Sequence, residues 1–190
     1  MQYDTVTPLI GRFNDLIDSL IKDFKEYKFS EKTLIYLANK TKSSINFTEV
    51  ALMNVFIKVL ENMGDARYVF DDEIKIITKM VDKIFEKINE SLDVILEEDH
   101  EEGEEHVHEH GHDHDHEHNI DIESVQKDID KILECLTFLK KILGDVGKIV
   151  ISLLKYRNKE ITEEEFNKEY TTFKENIETY KNEFTEVSTN

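Results

Sequence analysis

An all-α protein is what this sequence predicts, and three observations predict it. Six glycines and one proline in 190 residues, 35% of them charged, leave little material for the turns that an all-β chain needs. Apolar residues recur three and four apart in the long stretches outside residues 98–119, which is the spacing of one helix face. One of these patterns persists for more than four heptads, which predicts coiled-coil-like packing. The expected architecture is an elongated antiparallel helical bundle, with the whole chain, 1–190, forming one domain.

Taken in order, Thr7 and Pro8 resemble an N-cap and first helical position, followed by a seam of Ile10, Phe13, Ile17, Leu20, Phe24 and Tyr27. A first helix is expected near residues 8–28. A shorter helix is expected from Glu31 to Asn39 behind a Ser30 cap, with the polar stretch "NKTKSSIN" as a loop. Another runs from Thr48 to Met63 before Gly64, with Leu52, Phe56, Val59 and Met63 on one face. From residue 71 to residue 97 the spacing of Ile74, Ile77, Val81, Ile84 and Ile88 slips at Ser91 and resumes at Ile95, predicting a helix about 39 Å long. The next seam, Ile122 through Leu136 and Val146 to Leu153, predicts a helix over about 121–156, in which Gly144 and Gly147 each cost about 1 kcal/mol relative to alanine and invite a bend or break. Thr162 with Glu165 three residues later reads as a capping box. It opens a last helix to residue 184, along which Phe166, Tyr170, Phe173, Ile177, Tyr180 and Phe184 read as core. Glu163, Glu164 and Glu165 complement the dipole of its first turn and need no further role.

Charge narrows the function. Eleven carboxylates lie between residues 97 and 118 without a lysine or arginine among them, leaving only −7 of the net −18 for the rest of the chain. With three arginines and no basic stripe, nucleic acid is not an expected partner. The single cysteine, Cys135, forms no intramolecular disulfide or CxxC pair and reads as a small buried apolar residue rather than a soft extra ligand. No secretory leader or membrane span is recognisable, so a cytoplasmic protein without membrane insertion is expected. With no nucleophile–base pair and no phosphate loop, the chain does not read as an enzyme, and no organic cofactor is implied.

What remains is "HVHEHGHDHDHEH" at residues 106–118. All eight histidines of the chain, His100, His106, His108, His110, His112, His114, His116 and His118, fall within nineteen residues. The segment lies where the chain must reverse between its two longest helices, and is expected to be a loop over 98–119 at the tip of a helical hairpin. Imidazole is the commonest biological ligand for borderline transition metals, and the intervening carboxylates can complete a coordination shell or orient the rings. Extended, the alternating histidines line one edge about 6.6 Å apart; coiled, His106, His110, His114 and His118 become i, i+4 neighbours. The pattern requires neither geometry. Repulsion among the carboxylates, with Gly103 and Gly111 as breakers, predicts a mobile chelator with excess ligands rather than a preformed site. Because no histidine falls on a predicted helix seam, a di-iron carboxylate bundle is disfavoured.

The stretch "HEEGEEHVHEHGHDHDHEH" resembles the histidine- and acid-rich segments of nickel metallochaperones and of the cytoplasmic loops of zinc transporters. The resemblance covers residues 97–118 alone and does not extend to the helical scaffold. It implies buffering, sequestration or delivery of a divalent transition metal, nickel or zinc foremost, and cobalt as well. The alternative is a non-enzymatic helical scaffold, paired through its seams with a partner protein or a second copy, in which the segment is a solvated spacer or a pH-sensitive contact.

Overall fold

The computed structural model describes residues 3–26, 33–46, 71–101 and 122–188. Apart from the turn between the last two helices, all of these are helical. The helices are α1 (Tyr3–Glu26), α2 (residues 33–46), α3 (Asp71–Glu101), α4 (Ile122–Arg157) and α5 (Glu163–Ser188). The helix expected over 48–63 lies outside the described residues. No helix among the described residues is long and apolar enough to cross a membrane.

The helix α4 is the centre of the bundle, packing against α1, α3 and α5, while α5 also reaches α3. Its seam Val125, Ile129, Ile132, Leu136, Leu139, Leu143, Val146, Val150 and Leu153 is buried throughout, and Phe138, Ile142 and Ile149 widen the buried surface to a second side. Individual contacts set the directions. Lys140 of α4 pairs with Asp18 of α1, and Gly147 lies against Ile10, so the two helices run oppositely. Between α4 and α5, Phe138 meets Phe184 edge to face with centroids 5.8 Å apart, and Tyr156 stacks on Phe166 at 5.2 Å, again in reverse order. The Tyr170 hydroxyl donates to Glu73 of α3 at 3.2 Å and the Lys87 ammonium sits 5.5 Å from the Phe184 ring centroid, so α3 and α5 run together. By this logic α3 opposes α4, and Glu101 and Ile122 lie at the same end of the bundle.

Three local expectations about where helices begin and end are corrected. The first helix begins at Tyr3, which places Pro8 inside it rather than at its start. The proline removes only the bond to the Asp4 carbonyl, a limited loss next to a first turn whose N–H groups have no intrahelical acceptor in any case. The stretch "NKTKSSIN" is the second half of α2 and not a loop: Thr41 and Ile45 continue the buried stripe of Leu34, Leu37 and Ala38, and burial overrides the weak helix propensity of Asn, Thr and Ser. The third helix runs four residues past its expected end, through Glu101, so the chain between α3 and α4 begins at residue 102. Where its seam slips, Ser91 is buried at 3% exposure and Leu92 beside it at 0%.

No break occurs at Gly144 or Gly147, because α4 is continuous through both. The two glycines differ in what surrounds them. A methyl group at Gly144 meets nothing within 4 Å, whereas one at Gly147 would sit 3.2 Å from Ile10 Cγ2. The glycine at 147 therefore lets α1 approach α4 closely, and the one at 144 has no packing role. Gly144→Ala is expected to raise unfolding stability by about 1 kcal/mol, with no comparable gain from Gly147→Ala, measured by urea denaturation.

The turn into α5 is closed from both sides. The Glu160 N–H donates to the Lys155 carbonyl at 2.9 Å and the Lys159 N–H to Tyr156 at 3.0 Å, a Schellman ending that puts Lys159 in the left-handed region at φ 62°. The capping box follows: the Thr162 N–H donates to Glu165 Oε2 at 2.8 Å and the Glu165 N–H to Thr162 Oγ1 at 3.2 Å. These bonds, led by that from the Thr162 backbone, hold the Glu165 carboxyl below the usual carboxylate range. Because only glycine enters the left-handed region without a Cβ penalty, Lys159→Gly is expected to stabilise the protein by about 1 kcal/mol in the same assay.

Candidate functional site

Of the eight histidines, His100 lies in the last turn of α3. His106, His108, His110, His112, His114, His116 and His118 fall in the chain between Glu101 and Ile122, outside the described residues. That chain joins two helix ends at one end of the bundle. Among the described residues no group of three or more histidines, cysteines and carboxylates is arranged to hold a metal ion. Cys135 is free and buried at 3% exposure, and desolvation pushes its thiol up to about 11, leaving it protonated and inert at neutral pH.

The most elaborate polar arrangement of the described scaffold lies instead between α4 and α5, centred on a residue that the sequence did not single out. Asp145, between the two glycines of α4, is 7% exposed. Its Oδ2 accepts from the Tyr180 hydroxyl at 2.8 Å and from Asn176 Nδ2 at 3.1 Å, while the Lys148 ammonium stands 3.5 Å from Oδ1. The Lys148 side chain is 81% exposed, so solvent screens its charge and the two neutral donors supply most of the compensation for burying the carboxylate. Burial, and then the bond to Asp145, raise the Tyr180 phenol to about 12. Burial, reinforced by Glu73, does the same for Tyr170.

Two helical turns along, the Ser152 hydroxyl donates to Glu169. The two polar pairs bound an open groove of about 610 Å³, floored by Ile149 and Phe173 and edged by Lys148, Lys155, Glu165 and Lys168. Lysines and a glutamate share its rim, and its buried polar groups bond to one another. Chemically this is a set of directional contacts that fix the register of α5 on α4. No sequence signal marks Asp145, which lies beside the α4 seam between two glycines.

No protein-family model, no curated protein and no solved structure matches this chain.

Proposed function

We propose that this is a non-enzymatic, cytoplasmic metal-binding protein in which the helical bundle carries a multi-histidine segment that sequesters, buffers or delivers a divalent transition metal, nickel, zinc or cobalt. The observation that carries this reading is the confinement of all eight histidines to residues 100–118, seven of them in strict alternation and interleaved with carboxylates. Two features of the bundle support it. The segment joins the ends of two helices that pack together, so a change within it need not disturb the core. No histidine occurs among the core residues of the described helices, so the imidazoles of the segment are left for ligation.

Ligation requires neutral imidazole. Ordinary histidine titrates near pH 6.5, and the surrounding carboxylates favour the protonated ring, so protons compete with metal increasingly as pH falls. Affinity for Ni²⁺ or Zn²⁺ is therefore expected to drop steeply between pH 7.5 and pH 5.5, measured by titration with a competing chelator. Equal affinity at the two pH values would show that carboxylates, and not histidines, hold the ion.

A further inference from the structure

We propose that α2 is a cover that opens on its own while α1, α3, α4 and α5 remain assembled. Those four helices close through the pairs α3–α4, α1–α4, α4–α5 and α3–α5, none of which passes through α2. The inward stripe of α2 is Leu34, Leu37, Ala38, Thr41 and Ile45, and its centre is the one that does not fit: Thr41 is 0% exposed and its hydroxyl has no hydrogen-bond partner. A second buried polar atom without a partner, Asn89 Oδ1, lies on α3 one turn before Asp93, the residue that pairs with Lys42 of α2.

A buried hydroxyl without a partner loses its bonds to water and gains none in return. Opening α2 restores hydration to Thr41, so the cost of exposing four apolar side chains is partly offset. Two ion pairs between described residues link α2 to its neighbours, and these do little to oppose this. Lys40–Asp23 at 3.1 Å and Lys42–Asp93 join side chains that are each 36–47% exposed, where solvent screening leaves little net attraction. On its outer side α2 already presents Tyr36 at 66% exposure beside a shallow groove shared with α1. The opened state would add an apolar strip, Leu34, Leu37, Ala38 and Ile45, to that tyrosine. Such local opening is the ordinary route by which one element of a stable fold becomes available without global unfolding.

Native-state hydrogen exchange on the full chain tests this through three proteins. In the wild type, amides of residues 37–46 are expected to exchange faster than those of Leu136, Leu139 and Leu143 in α4. Thr41→Val, which keeps the shape and removes the hydroxyl, is expected to slow exchange in α2 about tenfold. Tyr180→Phe weakens α5 on α4, and should accelerate the α4 amides while leaving α2 unchanged. Exchange of α2 at the α4 rate in the wild type, its acceleration by Tyr180→Phe, or faster or unaltered exchange in Thr41→Val would each overturn the proposal.

Discussion

Replacing the seven histidines from His106 to His118 with asparagine is expected to abolish tight binding of Ni²⁺ and Zn²⁺ while leaving helicity and the unfolding midpoint unchanged. Eight imidazoles used two to four per ion, with carboxylate or water completing the shell, serve about two to four ions. Nothing in the alternation marks one set of four as privileged. A single replacement such as His112→Asn should therefore lower total binding only modestly, because a neighbouring ring takes its place. Calorimetry on the wild type, the single variant and the seven-fold variant separates the cases, and a single substitution that removed all binding would establish one defined site instead of a degenerate chelator. The separation of binding from folding rests on the seams of α3 and α4, whose buried side chains among the described residues reach Ile95 on one side of the segment and resume at Val125 on the other. Circular dichroism of the seven-fold variant checks it directly.

The second large effect is expected at Asp145. Truncation to alanine leaves the Tyr180 hydroxyl and the Asn176 amide without their acceptor in a partly buried interface, at a cost of about 3 kcal/mol. Tyr180→Phe removes one donor and leaves Asp145 bonded to Asn176, so about 1 kcal/mol is expected. Because the two residues share one bond, the double variant should cost less than the two single effects combined, as measured by urea denaturation at neutral pH. The same contact has an alkaline signature. The Tyr180 phenol titrates near 12 in the folded state against about 10 in an unfolded chain. Its contribution is thus fully present below pH 10 and is lost as pH rises toward 12; Tyr180→Phe should flatten that part of the stability curve.

How far the fold could be read from the sequence is best seen helix by helix. The seams of α1, α3, α4 and α5 were legible because burial selects the apolar spacing directly, and Ile84, Ile88, Ile132 and Leu136 are buried where that spacing places them. Local punctuation was less dependable. Pro8 read as a helix start, and Gly144 with Gly147 as an invitation to bend or break, yet in both places the chain is helical, since a proline one turn into a helix costs a single bond and two glycines cannot outweigh a seam buried from Val125 to Leu153. Thr41 concealed the second half of α2 for the opposite reason, being a polar residue in an apolar register. Asp145 was not legible at all. Its partners, Asn176 and Tyr180, lie more than thirty residues away, and only the packing of α5 brings them to it. The histidines were legible as chemistry because residue type and crowding suffice for that, whereas their geometry was not, since alternation is compatible with both extended and coiled chelation.

The measurement that bears most directly on the metal-binding reading is the metal content of the full-length protein, expressed without a histidine tag, purified without added metal or chelator and analysed by inductively coupled plasma mass spectrometry. The expected result is at least one equivalent of nickel, zinc or cobalt per chain, removable by a strong chelator, restored on adding the metal back, and absent from a variant in which residues 102–119 are replaced by a Gly/Ser linker. Protein that emerges free of these metals, and afterwards binds Ni²⁺ and Zn²⁺ no more tightly than the linker variant, would contradict the reading and leave the segment an acidic spacer.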